Sequence, residues 1–319
     1  MVRLQVKLLG KFCASRGEQE LAAFRSGKVK ELLCYLLLHH EREHAREVLA
    51  AQMWGECTTP LSKKYLRQAL WQIHQGLRDP ACDSLGPLHA DSESVRLDLS
   101  AGIDLDVEFI EKAFHKASNI PASQLDESTA EALQRAVELY RGELLPGCYL
   151  DWCLYHRERL QNMYLTMLDL LMAYSELHSQ YAAGKEFGER SLQEDPARER
   201  TYVRLMRLDC LSGDRAGALR RFQKCAAALR EELDVSPSRS TLELCEQIRS
   251  DNLPVPARAG SIATPDLVCP AELKCEEDPT LPLQTRLENI RALLVRMRQR
   301  IQLDIKAVDD AISLRDISR

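Results

Sequence analysis

The sequence predicts a mainly α chain with a small β component. Three observations predict it. Alternating strand-like residues open the chain and lead into three short helical stretches. From Asp104 helical spacing runs almost without relief. Within that run Ala183…Phe187 recurs as Ala218…Phe222, 35 residues later.

Val2, Leu4, Val6 and Leu8 alternate with polar neighbours, as in a strand with one buried face, and Gly10 and Arg16-Gly17 mark turns. Over Lys28–His39, Val29, Leu32, Leu33, Leu36 and Leu37 recur at helical spacing. A second short helix is expected over Arg46–Trp54, with Val48, Leu49 and Met53 inward and Gly55 ending it. After the turn Gly55-Glu-Cys-Thr-Thr-Pro60 a third helix is expected from Leu61 to Leu77. Asp79-Pro80 breaks the structure, and Leu85–Leu88 and Ser94–Leu99 are expected to pair as a hairpin. Sheet, three helices and hairpin add up to an N-terminal winged helix-turn-helix over residues 1–101.

On the third helix Leu66, Leu70, Ile73 and Leu77 make one narrow apolar stripe. The opposite face carries Lys64, Gln68, Trp71, Gln72 and Gln75, with Arg67 and Arg78 at its flank. With Lys63 these cations stand in a stretch, Leu61–Arg78, that holds no acid. Phosphate positioning needs cations, and base edges are read by forked donors such as Arg and Gln. The face reads as a reader of double-stranded DNA. An ordinary solvated helix face has a similar composition, so the helix alone leaves both readings open. Trp71, if exposed, would stack on a sugar or touch a thymine methyl; if packed on the wing or first sheet it is structural.

Helices follow at about 106–117, 127–141, 151–179, 182–193, 197–212, 215–232 and 238–250. The Ala…Phe recurrence lies close to the tetratricopeptide period of about 34 residues, in which small residues let paired helices approach and the Phe fills the next groove. Residues 102–250 are therefore expected to form a tetratricopeptide-like all-α domain, with the long helix 151–179 completing the stack. Residues 251–282 hold six of the 13 prolines and read as a linker. Over 283–319 Leu287, Ile290, Leu294, Met297 and Ile301 repeat in 3-4-3-4 rhythm, continued by Ile305, Val308 and Ile312 after a four-residue slip. This C-terminal helix is expected to dock on something: a second copy as a short coiled coil, its own chain, or a partner protein.

A net charge of −5 is not that of a bulk nucleic-acid binder. Residues 1–100 hold 14 Lys+Arg against 12 Asp+Glu, so the acidity lies in the remainder and DNA affinity must come from a local patch. Eleven cysteines without a CxxC read as free thiols packed in helices, as at Cys34, Cys210 and Cys225; Cys148 and Cys153 lack zinc-site spacing. His39, His40 and His44 read as a solvated helix end rather than a metal set. Ser26-Gly-Lys-Val29 lacks the first Gly and the Ser/Thr of a phosphate loop, and no G-x-S-x-G or H-E-x-x-H occurs. Tandem acids such as Glu231-Glu232 read as solvated helix surface. No catalytic residue, cofactor or metal is expected. The opening Met-Val-Arg-Leu-Gln-Val-Lys7 is no signal peptide and no apolar run reaches the ~20 residues of a membrane span, so a cytoplasmic protein is expected.

Ordered segments then carry a resemblance. Arg3-Leu-Gln-Val-Lys-Leu-Leu-Gly10, Arg25-Ser-Gly-Lys-Val-Lys-Glu-Leu-Leu-Cys-Tyr-Leu-Leu-Leu38, Met53-Trp-Gly55 and Leu66-Arg-Gln-Ala-Leu70 are followed by Ala136-Val-Glu-Leu-Tyr-Arg-Gly-Glu-Leu-Leu-Pro-Gly147. Asp195-Pro-Ala-Arg-Glu199, Gly213-Asp-Arg-Ala-Gly-Ala-Leu-Arg-Arg-Phe222 and Glu231-Glu-Leu-Asp-Val-Ser-Pro-Ser238 complete the set. Over about residues 3–250 the chain resembles the SARP regulators of bacterial secondary metabolism, in which an OmpR-type winged helix precedes a bacterial transcriptional activator domain.

The resemblance implies a transcriptional activator that binds promoter direct repeats and contacts RNA polymerase. It places Lys63, Lys64, Arg67, Gln68 and Trp71 on DNA, and the turn with Glu56, Thr58, Thr59 and Pro60 on the polymerase. Activation rather than repression comes from the resemblance alone. In the second domain Asp234 stands where the family usually has Gly. Two departures bear on DNA affinity. The second half of the recognition helix, often basic in the family, reads Gln72, His74 and Gln75 here, with Gly76 in the helix. The wing carries Asp91 and Glu93 rather than Gly-Tyr, leaving Arg96 to reach the backbone. Each missing phosphate contact lowers the salt slope by about one unit. The alternative function is a non-DNA-binding tetratricopeptide-like adaptor with a vestigial winged helix.

Overall fold

The computed structural model describes residues 3–21, 24, 27–78 and 86–251. The chain opens with β1 (Leu4–Lys7), β2 (Cys13–Arg16) and β3 (Gln19–Glu20), then α1 (Gly27–Leu38), β4 (His44–Ala45), α2 (Arg46–Trp54) and α3 (Thr59–Leu77). The hairpin β5 (Leu88–Ala90) and β6 (Ser94–Leu97) follows, then β7 (Ile103–Leu105). The helical part is α4 (Asp106–Ala117), α5 (Glu127–Leu139), α6 (Asp151–Leu177), α7 (Tyr181–Glu194), α8 (Glu199–Leu211), α9 (Arg215–Leu233) and α10 (Arg239–Arg249). Residues 252–319, with the expected linker and C-terminal helix, lie outside the described residues.

Two small sheets frame the three N-terminal helices, in strand orders β3-β2-β1-β7 and β4-β6-β5. The sequence pattern did not reveal β4 or β7, because strands of two and three residues are too short to show a period. β7 returns to pair in parallel with β1, Leu4 opposite Ile103 and Val6 opposite Leu105. Just beyond it, buried Asp106 accepts hydrogen bonds from the backbone N–H groups of Leu8, Leu9 and Val107, at 2.8–3.1 Å. One carboxylate thus ties the end of β1 to the start of α4.

Four expectations need correction. Val48 is 61% exposed, because the buried stripe of α2 is Leu49, Ala50 and Met53, and Val48 falls outside it. α3 begins two residues early, at Thr59, since Pro60 fits the first helical turn, where its missing N–H is no loss. The wing strand β5 starts at Leu88 rather than ending there; Asp91 accepts from the N–H groups of Glu93 and Ser94, at 2.7 and 2.6 Å, and so places the turn. His39 and His44 are not a solvated helix end. Their rings pack with Tyr35, at 4.4 and 5.3 Å between centroids, and Tyr35 and His39 in turn meet Trp152 and His156 of α6.

One core runs from Leu4 through the packed stripes of α1 and α3 and on to Leu208 of α8. In the second half each helix packs on the next, α6 on α7, α7 on α8, α8 on α9 and α9 on α10. Closest approach is made by Gly184 and Gly188, both buried in α7; Ala183 is only half-buried. A β-carbon at Gly188 would stand 2.5 Å from Leu205 Cδ2 and 2.8 Å from Met172 Cε. Phe187 and Ala218 are buried as the repeat requires, while Phe222 is half-buried. Arg198, in the Asp195–Glu199 segment, is buried and locks α6 to the start of α8. Its guanidinium donates to both oxygens of Asp169, at 3.1 and 2.8 Å, and to the Leu165 carbonyl and Ser191 Oγ. Of the described cysteines Cys34, Cys153, Cys225 and Cys245 are buried and Cys210 is half-buried, all with free thiols.

Candidate nucleic-acid interface

α3 buries Ser62, Leu66, Ala69, Leu70, Ile73 and Leu77 against α1 and α2, which turns its other face outward. Lys64, Arg67, Gln68 and Gln75 are exposed there, Gln72 is half-buried, and Trp71 is 62% exposed. Trp71 is therefore a surface residue, not a packing residue for wing or sheet. Among the described residues none of these side chains is engaged in a hydrogen bond or ion pair, so their donors are uncommitted.

The remaining predicted residues are placed differently. Lys63 Nζ lies 2.6 Å from Glu47 Oε1 of α2, and this bond holds the Glu47 carboxyl below the usual carboxylate range. Arg78 is the C-cap of α3; its N–H donates to the His74 carbonyl at 3.1 Å and its own carbonyl accepts from Arg16 at 3.1 Å. Arg96 is exposed on β6, directly across the hairpin from His89. Glu56 and Thr58 stand exposed in the turn before α3, whereas Thr59 and Pro60 belong to its first turn.

Between α3 and the wing lies an open cleft of about 680 Å³. α3 contributes Arg67, Leu70, Trp71 and His74; the hairpin contributes Leu88, His89, Ala90, Asp91, Ser94 and Arg96; Glu43, Arg46 and Asp98 complete it. The two wing acids of the cleft are already committed. Backbone N–H groups of Ser94 and Glu93 hold Asp91 below the usual range, and the hydroxyl and N–H of Ser100 do the same for Asp98. Arg46 donates to the Asp91 carbonyl at 3.0 Å and so braces the hairpin turn. Sequence reasoning missed Arg46, His74 and His89 as members of this surface. Helical spacing from Arg67 and Trp71 could have found His74, whereas Arg46 and His89 stand on other elements that meet α3 only in space.

Among the described residues no helix is long and apolar enough to cross a membrane, and no three His, Cys, Asp or Glu are grouped to hold a metal ion.

Residues 105–249 match the family described as the bacterial transcriptional activator domain, BTAD. That is a family of transcriptional regulators, which points to a non-enzymatic protein. The fold is similar to that of a solved structure, Mycobacterium tuberculosis EmbR in complex with low affinity phosphopeptide, with a TM-score of 0.64 and 16% identity. The likeness covers 79% of this chain and 66% of that one, so this chain spans just under two thirds of the length of EmbR in that structure. At such identity the likeness is one of fold. No curated protein matches the chain in sequence. The architecture read from the sequence, a winged helix before a bacterial transcriptional activator domain, is borne out by the matched domain and by the shared fold.

Proposed function

We propose, from the premise that residues 105–249 are a bacterial transcriptional activator domain standing behind a winged helix, that the chain regulates transcription by binding double-stranded DNA through α3 and the wing. The observation that carries the proposal is the outward row of Lys64, Arg67, Gln68, Trp71 and Gln75, whose donors have no partner among the described residues. The major groove, about 12 Å wide, admits one helix. With α3 seated there, Arg67 and Gln68 present forked donors to base edges, Lys64 takes a phosphate, and Trp71 offers an apolar surface to a sugar or thymine methyl. Arg96 on the wing takes the neighbouring backbone. The SARP resemblance adds direct-repeat sites and an RNA polymerase contact through Glu56, Thr58, Thr59 and Pro60.

A second reading, the non-DNA-binding adaptor, is favoured by the three carboxylates, Glu43, Asp91 and Asp98, that line the cleft. Selection of bound duplexes from a random DNA pool with full-length protein at two salt concentrations separates the two. A regulator enriches a direct repeat, and an adaptor shown to be folded enriches nothing.

A further inference from the structure

We infer that His74 and His89 are backbone-phosphate contacts of this surface, acting as imidazolium ions in place of the missing lysines and arginines. The inference rests on the DNA-binding reading above. Both imidazoles line the cleft between α3 and the wing, His74 from the helix and His89 from β5. His74 stands seven residues beyond Arg67 on α3, two turns along the same face, and His89 faces Arg96 across the hairpin. Among the described residues neither ring is engaged in a hydrogen bond or ion pair.

The place matters because of how a helix and a hairpin straddle duplex DNA. A helix in the major groove with a hairpin beside it must receive, in the cleft between them, the strand of backbone that divides major from minor groove. What lines that cleft meets phosphate.

The sign of the cleft is then decided by the two imidazoles. Every charged or titratable group facing it can be named. Arg46 of α2, Arg67 of α3 and Arg96 of β6 stand against Glu43 before β4, Asp91 in the hairpin turn and Asp98 after β6. Three guanidiniums against three carboxylates leave no net charge when both His are neutral, and two positive charges when both are protonated. The two wing carboxylates, held by turn N–H and hydroxyl donors, stay ionised through the neutral range. Imidazole is the side chain whose charge changes between about pH 5 and 8, and a neighbouring phosphate favours its charged form. DNA binding therefore takes up protons, and by linkage affinity rises as pH falls.

The test is fluorescence anisotropy of full-length protein with a labelled mixed-sequence duplex of about 30 base pairs, since phosphate contacts do not depend on sequence. At fixed low salt, affinity at about pH 6 should exceed that at about pH 8 by about tenfold or more, each linked proton adding up to about one log unit per pH unit. His74→Gln/His89→Gln should flatten this to within about twofold, and His74→Lys/His89→Lys should hold the low-pH affinity at about pH 8. His89→Lys alone, on an exposed strand position, should recover part of that gain if the double variant fails to fold. Binding that does not change with pH overturns the inference and leaves the DNA-binding reading standing. So does a pH dependence that survives intact in a folded double Gln variant. Absence of binding at either pH by folded protein removes the DNA-binding reading and the inference with it.

Discussion

The ring of Phe24 is seated against Gly76, so close that a β-carbon on Gly76 would stand 2.3 Å from Phe24 Cζ and 3.0 Å from each adjoining ring carbon. A glycine in the last turns of α3 costs about 1 kcal/mol of helix propensity relative to alanine. It is offset by burial of the whole Phe24 ring, on the order of 1.5–3 kcal/mol. The two residues seat the Phe24 ring against the last turns of α3.

Gly76→Ala should therefore destabilise the protein by about 1–2 kcal/mol, overpacking winning over the gain in propensity. Urea unfolding measures this. A stabilised variant would mean that the ring moves aside at little cost.

On the outer face of α3, Lys64→Ala and Arg67→Ala should each weaken DNA binding while changing stability by no more than about 0.5 kcal/mol. Lys63→Ala should weaken binding less than Lys64→Ala, because Lys63 is paired with Glu47. Binding isotherms and melting curves on the three variants decide it; unfolding by the Lys64 or Arg67 change would show the wrong face was assigned.

Asp106→Ala removes the acceptor for the N–H groups of Leu8, Leu9 and Val107. Leaving buried donors unpaired at about 1–3 kcal/mol each should cost about 3 kcal/mol or more, among the largest losses expected of a single polar change here. Asp106→Asn keeps one acceptor oxygen and should cost less. Chemical denaturation of both variants gives the order, and a reversed order would count against this tie.

His156 gives a pH prediction. Burial, reinforced by the charges of His39, Arg159 and Arg42, pushes its imidazole down to about 4. An unfolded imidazole takes its proton near pH 6.5, so the stability from His156 is full above about 6.5 and is lost as pH falls toward about 4. Asp106 and Asp169, pushed up to about 6 by burial, act the opposite way, their contribution falling as pH rises through about 6. Between pH 7 and 5 the wild type should lose more melting temperature than His156→Phe, the carboxylate terms being common to both. Equal losses would contradict the assignment.

How much of this was legible in the sequence depended on whether the signal lay along one element. The stripe Leu66-Leu70-Ile73-Leu77 and the helices from Asp106 onward stand where periodicity placed them, because burial along a helix repeats every turn. Trp71 was placed on the outer face by the same rule. Val48 misled because a β-branched apolar residue beside a buried stripe looks like part of it. His39 misled because its ring partner His156 lies over 100 residues away, and His44 because its packing on Tyr35 is made across the turn after α1. The cleft as a whole was illegible because Arg46 and His89 come from elements other than α3, while His74 follows α3's own spacing from Arg67 and Trp71.

The most direct test of the central claim, that α3 presents a DNA-reading face, is the salt dependence of binding to a duplex recovered by selection. The wild type should bind it with a log–log salt slope that Lys64→Ala lowers by about one unit, with affinity lost in the Lys64→Ala/Arg67→Ala protein. Unchanged affinity and slope in that folded double variant would contradict the claim, as would a folded wild type from which no duplex can be recovered.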